Sequence, residues 1–297
     1  MSRSIVIYRE KLPNFDYVKP ESLEELLRLK DECRAECVIL AGGTDLILDM
    51  RMGMKAPKKV IDIKGVKELR ELKYEEGNGM SIGALVTLRE LELNEVVREK
   101  YYVLWDAVRK MADTALRERA TLAGNIANAS PAADSAPPLL VLQAKVELAS
   151  VNGTRRVPLR KFFKWVKQTH MKDNEIITKI VIPEPPPETR GEYFKAVRSS
   201  EDLAIVGIAA LVSKPEDPSK RIVRLAYASV APTPLLIEKV EDIFREDRPL
   251  KELIREAVEL VKSEVSPITD VRGTKEYRMH IVEFGTLYLL RKLLEVR

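Results

Sequence analysis

The chain has 297 residues, 45% of them hydrophobic and only 6% aromatic, which is enough apolar material for one large or two moderate domains. Its 50 Lys and Arg against 46 Asp and Glu leave a net charge of +4 that is spread along the sequence, so no nucleic-acid partner is predicted. Because no run of about 18 apolar residues occurs and the first residues lack a signal-peptide pattern, we expect a cytoplasmic protein without membrane insertion.

Apolar spacing and turn residues predict alternating helices and strands in the first part of the chain. Ser22 occupies a capping position before leucines that are spaced as on one face of a helix. The predicted elements are, in chain order, a helix over 22–31, a strand over 37–41, a helix start after 44–45, a strand over 59–63, a hairpin of 69–74 with 79–83, a helix capped by Thr87, one helix over 95–112, a hairpin turning at Asn152-Gly153 and a strand over 175–183.

The clearest linker is the run of three prolines at 185–187, because consecutive prolines favour an extended path and exclude a helix. We therefore predict a first domain over 1–184 and a second domain over 190–297. The second domain begins with three apolar segments that predict antiparallel strands, and helices over 250–265 and 274–295 follow. This order predicts the α+β fold class.

The residues that usually build metal or nucleophile sites are scarce. Cys33 and Cys37 are too few for an iron–sulfur cluster or a cysteine-based zinc site, and we expect two small buried thiols. His170 and His280 lie far apart, and neither a Rossmann nor a P-loop glycine motif occurs. Any redox centre must therefore be brought in as a cofactor. Charged residues reach 32% and Gln occurs only twice, a composition of the kind found in thermophile proteins.

The first candidate binding segment follows the strand over 37–41 and reads Ala41-Gly42-Gly43-Thr44-Asp45-Leu46. Two glycines between a strand and a helix start let the main chain approach a ligand closely, and amide groups there suit an anion such as a pyrophosphate. The same residues are also ordinary strand-to-helix turn chemistry, so this segment alone leaves both interpretations open.

The second candidate segment, residues 121–138, is almost free of charge in a chain that is one-third charged. We interpret it as a long loop whose small and amide residues would line a large polar cofactor, since long loops without secondary structure are uncommon unless functional. The polar residues concerned are Gly124, Asn125, Asn128, Ser130, Asp134 and Ser135. Asp134 is the only charged residue between Arg119 and Lys145, and we expect it to be ionised and to accept hydrogen bonds from the cofactor. The alternative is that Asp134 caps the following helix.

Five segments together resemble the FAD-binding medium subunit of the xanthine dehydrogenase and aerobic carbon monoxide dehydrogenase group. They are AGGTDL at 41–46, TLAGNIANASPAADSAPPLL at 121–140, FDYVKPESLEELLRLK at 15–30, FKAVRSSEDLAIVGIA at 194–209 and YRMHIVEFGTLYLLRKLL at 277–294. The resemblance covers nearly the whole chain in order. It implies an FAD-binding domain of two α/β subdomains, similar to the vanillyl-alcohol oxidase type, followed by a C-terminal domain with a three-stranded antiparallel sheet and helices.

The resemblance also implies a set of FAD-binding residues. The pyrophosphate would lie on the main chain of Gly42, Gly43, Thr44 and Asp45, within the motif Ala41 to Leu46. The second FAD segment would comprise Thr121, Gly124, Asn125 and Asp134, with Asn128 and Ala133 beside them. Lys195 falls on a lysine near the isoalloxazine ring and Ile177 on an aliphatic flavin contact. Ala120 and Ala123 stand where the family commonly has glycine, and their methyl groups would narrow the approach to the cofactor.

The function implied by the resemblance is electron transfer through FAD, with no catalytic residue required on this chain. The implied partners are a molybdopterin-binding large subunit and a small subunit with two 2Fe–2S clusters, assembled as a dimer of heterotrimers. Two alternatives stay open: a self-contained FAD oxidoreductase, and an assembly subunit that has lost FAD, which Ala120 and Ala123 favour.

Overall fold

A computed structural model describes residues 11–295 of the protein. The strands are β1 (Asp16–Val18), β2 (Cys37–Leu40), β3 (Lys59–Asp62), β4 (Leu72–Glu75), β5 (Gly79–Gly83), β6 (Lys145–Ser150), β7 (Gly153–Pro158), β8 (Phe163–Trp165), β9 (Gln168–Thr169), β10 (Ile176–Ile182), β11 (Arg190–Ala196), β12 (Val206–Ser213), β13 (Ile222–Ala228) and β14 (Leu235–Leu236). The helices are α1 (Leu23–Cys33), α2 (Leu46–Arg51), α3 (Leu88–Leu93), α4 (Glu95–Lys100), α5 (Tyr102–Arg109), α6 (Thr114–Arg117), α7 (Leu122–Ala127), α8 (Ala136–Val141), α9 (Val240–Phe244), α10 (Leu250–Glu264) and α11 (Lys275–Leu293).

The first part of the chain contains two larger sheets. A three-stranded parallel sheet has the order β1-β3-β2, and an antiparallel sheet has the order β4-β5-β10-β6-β7. Ser22 caps α1 as predicted, since its side chain accepts a hydrogen bond from the Glu25 amide. Both predicted hairpins are confirmed as β4–β5 and β6–β7. In these strand orders β2 lies at an edge of the parallel sheet, and β10 lies at the centre of the antiparallel sheet, between the two hairpins.

The single helix predicted over 95–112 is wrong, because the chain forms α4 and α5 with a break at Tyr101. Tyr101 has φ −122° and ψ 43°, which is outside the helical region, and its ring is fully buried. The Leu104 amide donates to the Tyr101 carbonyl as the second helix begins. Burial of this one aromatic side chain redirects the helix, and helical periodicity alone could not show it.

The second part forms an antiparallel sheet of order β11-β12-β13-β14, so the predicted three strands are joined by a two-residue fourth. One face packs on α10 and α11, in a core that includes Val212 and Leu290. The other face packs on α5 and α8, and Leu211 and Tyr193 belong to the core of the first part. Every residue of β12 is buried for this reason, which explains its continuous apolar sequence.

The structure contradicts the expectation of two free thiols, because Cys33 and Cys37 form a disulfide. Cys33 ends α1 and Cys37 begins β2, with one short 3-10 turn between them. Lys30 lies beside this junction and donates to the Arg34 carbonyl at 2.6 Å. The disulfide therefore closes the helix onto the strand that leads to residues 41–46.

Candidate functional site

The glycine segment forms a tight turn between β2 and α2. Gly43 has φ +77°, a conformation that favours glycine, and an added Cβ would lie 2.8 Å from the Leu40 side chain. The turn closes through hydrogen bonds from the Ile47 amide to the Gly43 carbonyl at 3.1 Å and from the Asp49 amide to the Asp45 carbonyl at 2.9 Å. The predicted strand, turn and helix start are thus confirmed, with glycine required at position 43.

The main-chain amides of residues 42–46 donate no hydrogen bond to any residue within 11–295. The turn is half exposed, and the Asp45 side chain makes no capping hydrogen bond to α2. Consecutive amide donors without acceptors form a concave, positively polarised surface that suits phosphate oxygens. This donor set fits the pyrophosphate of a dinucleotide cofactor.

The second candidate segment begins against this turn. An added Cβ on Gly42 would overlap the Arg119 carbonyl oxygen and lie 3.1 Å from the Ala120 Cα, so only glycine permits this approach. The Leu88 amide donates to the Ala120 carbonyl at 2.8 Å, which fixes the chain just before Thr121. The structure therefore brings the glycine turn against the residues that lead directly into the second segment.

Residues 121–138 are not the structureless loop that the sequence suggested, because they contain α7 and the start of α8. The Thr121 hydroxyl accepts from the Gly124 amide at 3.0 Å and caps α7. Two prolines, Pro137 and Pro138, lie in the first turn of α8, where proline is tolerated. Residues 128–135 between the two helices form turns without regular structure. Leu122, Ala123 and Ile126 give α7 a buried apolar face, which the interpretation as a loop overlooked.

The two alanines that replace family glycines are accommodated without strain. Neither Ala120 nor Ala123 has a positive φ, and Ala123 is buried in the first core. Their methyl groups thus cost the main chain nothing at these positions.

The polar side chains of α7 have protein partners. The Asn125 side-chain oxygen accepts from the Ser135 hydroxyl at 2.6 Å, and that of Asn128 accepts from the Lys167 ammonium at 2.7 Å. The Asn125–Ser135 bond ties the first turn of α7 to the residue before α8. This hydrogen bond therefore links Gly124, which precedes Asn125, to Asp134, which precedes Ser135.

Asp134 is 4% exposed and both of its oxygens are engaged by the protein. The Tyr193 hydroxyl donates to Oδ1 at 2.6 Å, and the Lys195 ammonium lies 3.1 Å from Oδ2. Cofactor donors are thus not needed to satisfy this carboxylate. The capping alternative is wrong, since α8 has no side-chain capping hydrogen bond at its N-terminus. A contact between Asp134 and FAD stays a prediction.

Burial raises the pKa of Asp134, and the nearby Lys195 ammonium and the Tyr193 hydroxyl act in the opposite direction. Burial and the Asp134 charge together raise the pKa of Tyr193 well above its ordinary value, so its hydroxyl keeps its proton and donates.

Sequence reasoning missed three residues of this region, which are Asp106, Lys110 and Tyr193. Lys110 donates to Asp106 Oδ2 at 2.7 Å and to the Tyr193 carbonyl at 2.5 Å. The Tyr193 amide donates to Asp106 Oδ2 at 3.1 Å, and Lys195 donates to the Lys110 carbonyl at 2.8 Å. Signals existed for Asp106, an acid on the apolar face of α5, and for Lys110, which follows it at the i,i+4 spacing of a helical ion pair, whereas Tyr193 comes from a separate element.

The remaining predicted residue, Ile177, is 7% exposed on β10 and belongs to the same core as Ala123 and Ile126 of α7. Within residues 11–295, no group of three or more His, Cys, Asp or Glu side chains could hold a metal ion. No helix of the described chain is long and apolar enough to cross a membrane.

A glycine turn with unpaired amides, lying against the main chain that leads into a second glycine-containing helix start, is the kind of site found in proteins that bind a diphosphate cofactor. Comparison with known proteins identifies the family. The model of the FAD-binding domain in molybdopterin dehydrogenases matches residues 13–185, and that of the CO dehydrogenase flavoprotein C-terminal domain matches residues 192–293.

Individual relatives agree with these matches. The glyceraldehyde dehydrogenase medium chain of Sulfolobus acidocaldarius is 31% identical over 95% of this chain and 99% of its own length. A putative xanthine dehydrogenase FAD-binding subunit of Escherichia coli is 31% identical over 84% of this chain and 85% of its own. A chain in the solved structure of carbon monoxide dehydrogenase from Hydrogenophaga pseudoflava superposes with a TM-score of 0.89 at 28% identity, covering 95% of this chain and 97% of that one.

The chain therefore belongs to the family of FAD-binding domains in molybdopterin dehydrogenases. It is an oxidoreductase component of the FAD-binding medium-subunit type found with CO and xanthine dehydrogenases, and its cofactor is FAD. The resemblance seen in the sequence is confirmed.

Proposed function

We propose that this chain is the electron-transfer subunit of a molybdenum hydroxylase complex. In this function FAD receives electrons from two 2Fe–2S clusters of a small partner subunit and delivers them to an external acceptor, while a substrate is oxidised at the molybdenum cofactor of a large partner. The expected assembly is a dimer of heterotrimers. The family membership and the relatives named as medium chains and FAD-binding subunits support this allocation of roles.

The observation that carries the proposal is the row of main-chain amides at 42–46 without acceptors in the described chain. We assign the pyrophosphate to these amides, within the motif from Ala41 to Leu46. Main-chain donors recognise a diphosphate independently of side-chain chemistry, which explains why no arginine or lysine cluster is needed.

The second segment supports the path of the cofactor away from the pyrophosphate. Arg119 and Ala120, just before this segment, lie against Gly42, and within the segment the Asn125–Ser135 hydrogen bond leads to Asp134, which contacts Lys195. We assign the isoalloxazine ring to the end of this path at Lys195, with Thr121 and Gly124 next to the pyrophosphate. Ile177 is assigned to an aliphatic contact with the flavin, and Asn128 and Ala133, beside the second segment, are assigned to the rim of the site.

The chain's own residues would bind and orient FAD, and bound FAD supplies the redox chemistry. The Lys195 ammonium is held by Asp134 and by the Lys110 carbonyl, so its charge has a fixed position. No general base is required of this chain, because proton abstraction from a substrate belongs to the partner that holds the molybdenum.

The proposal is tested on the complex purified through a tag on this chain. We expect FAD, molybdenum and iron to co-purify, and flavin reduction on addition of substrate to depend on the iron-containing subunit. Flavin without molybdenum or iron would favour the self-contained oxidoreductase. A complex without flavin would favour the assembly subunit.

The placement of the pyrophosphate is tested separately on the flavin-depleted complex. We expect ADP, which carries the same diphosphate, to compete with FAD, whereas riboflavin, which has no phosphate, competes weakly at equal concentration. Equal competition by riboflavin and ADP would contradict the assignment of the amides at 42–46.

A further inference from the structure

Five residues from three parts of the fold form one polar cluster, which is buried except for the partly exposed Lys110. Asp106 and Lys110 come from the end of α5, Asp134 from the segment before α8, and Tyr193 and Lys195 from β11. We call them the Asp134 cluster. Its acids and lysines are equal in number, and Arg109, half exposed, lies 3.3 Å from Asp106 at its edge. The cluster joins the candidate FAD segment to the first strand of the second sheet.

The charge of Asp134 depends on few groups. The carboxylate lies in an apolar segment, where burial disfavours the ionised form, and Lys195 is the charged side chain of the described residues that contacts it. Two donors oppose the effect of burial, namely Lys195 and the Tyr193 hydroxyl. The Lys195 charge has the larger opposing effect, and the Tyr193 hydroxyl adds to it through a 2.6 Å hydrogen bond to an ionised oxygen, which is stronger than a bond between neutral groups.

The Tyr193 hydroxyl is aimed at Asp134 by its surroundings. The ring is fully buried, and an added Cβ on Gly207 of the neighbouring strand would overlap the hydroxyl. The Tyr193 amide donates to Asp106 and its carbonyl accepts from Lys110, which fix the main chain on both sides. With its main chain and ring fixed in this way, Tyr193 donates its hydroxyl hydrogen to Asp134 and to no other acceptor among the described residues.

We propose that Tyr193 is a positioning residue for the flavin chemistry, which keeps Asp134 ionised beside Lys195 so that the pair presents no net charge to bound FAD. The inference rests on the proposed function, in which Lys195 lies at the isoalloxazine end of the cofactor. Without the phenolic donor, Lys195 alone opposes the effect of burial, so the protonated form of Asp134 becomes more populated and the positive charge of Lys195 is less fully compensated. Each electron that FAD accepts adds negative charge, so the unbalanced lysine favours the reduced form and moves the midpoint potential of bound FAD to more positive values.

The test compares three variants of the purified complex by flavin content and by redox titration of the bound FAD. Tyr193→Phe removes only the hydroxyl, and Asp134→Asn removes the negative charge in a side chain of the same shape. Tyr227→Phe is the matched control, because Tyr227 is equally buried on β13 and its hydroxyl forms a 2.7 Å hydrogen bond with Thr286 outside the Asp134 cluster.

We expect a positive shift of the midpoint potential in Tyr193→Phe and a shift at least as large in Asp134→Asn, with no shift in Tyr227→Phe. An unchanged potential in Tyr193→Phe, or the same shift in Tyr227→Phe, would overturn the inference while leaving the proposed function intact. Should Tyr193→Phe retain no FAD, the Asp134→Asn potential decides, and a wild-type value there overturns the inference. A wild-type complex that contains no flavin would instead overturn the proposed function.

Discussion

The turn at 42–46 and the segment at 121–138 are both rich in small polar residues, but they satisfy their hydrogen-bonding groups in opposite ways. The turn is half exposed and its amides have no acceptor in the described chain, whereas Asn125, Asn128 and Asp134 each have protein partners. From sequence alone the second segment looked like the better ligand site. Unpaired main-chain donors thus mark a site for an anionic ligand more directly than a high content of polar side chains.

The difference is clearest at Asp134, where it follows from burial. Polar groups that lose contact with water must find partners inside the protein, so the buried Asp134 carboxylate bonds to Tyr193 and Lys195, and the buried Ser135 hydroxyl bonds to Asn125. Main-chain amides at a half-exposed turn need no acceptor within the protein, because water solvates them when no ligand is bound. The variants below separate residues that hold the fold from residues that hold FAD.

The largest loss of stability is expected at the Asp134–Lys195 ion pair, which anchors the second segment to β11. Lys195→Met leaves Asp134 buried without its counter-ion, and breaking a buried ion pair costs about 3–5 kcal/mol. The unpaired carboxyl has its pKa raised above the value in the unfolded chain, so the loss is full above that raised pKa and shrinks as the pH falls and Asp134 is protonated. Urea denaturation at mildly alkaline and mildly acidic pH measures both effects.

The control is Lys167→Met, because Lys167 is exposed and its ammonium bonds only to Asn128 among the described residues. We expect a change within about 0.5 kcal/mol at either pH. Equal losses in the two lysine variants would show that the Asp134–Lys195 pair does not anchor the segment.

The strand that leads to the glycine turn is attached to α1 by the Cys33–Cys37 disulfide, so a covalent bond and not an ion pair anchors it. Reducing the Cys33–Cys37 disulfide releases a loop of about five residues, and chain-entropy arguments predict a loss of about 2 kcal/mol. Thermal unfolding with and without reductant measures it. The Cys33→Ser/Cys37→Ser variant should unfold at the same temperature with and without reductant. A change of unfolding temperature in that variant would show that the reductant does not act through this disulfide.

A smaller effect on stability, with a larger one on FAD, is expected at Gly43. Gly43→Ala and Gly77→Ala both place a Cβ at a φ near +78°, which costs about 1–2 kcal/mol in each case. At Gly43 the end of the Leu40 side chain must also move aside, whereas the space around Gly77 is open. Only Gly43 belongs to the amide row, so only Gly43→Ala should lose FAD as its turn relaxes and the amides lose their alignment. Flavin content per mole of complex, after identical purification, distinguishes the two variants.

The smallest effect is expected at Asn128, whose side-chain oxygen is already engaged with Lys167. Asn128→Ala should change stability by no more than about 0.5 kcal/mol and FAD affinity by no more than about twofold. A tenfold loss of FAD affinity in a flavin titration would move Asn128 from the rim into the site and weaken the contrast between the two regions.

Local patterns in the sequence were sufficient for the elements and for the family. The caps at Ser22 and Thr87, the hairpins at 69–83 and 145–158 and the glycine turn at 42–43 depend on neighbouring residues, and all of them are found where expected. The order of motifs along the chain was sufficient to indicate FAD, because the two glycine segments and the C-terminal pattern occur together.

The tertiary structure alone decided which polar groups have partners. Tyr193 and Lys195 on β11 contact Asp134, which is about sixty residues away in the sequence. Asp106 and Lys110 contact the Tyr193 main chain from the end of α5. The break at Tyr101 and the Cys33–Cys37 bond likewise depend on packing and on the distance between two side chains after folding. Hydrogen-bond satisfaction is a property of groups that are distant in the chain and close in space, so a one-dimensional pattern can place a candidate residue but cannot tell whether the protein or a ligand will satisfy it.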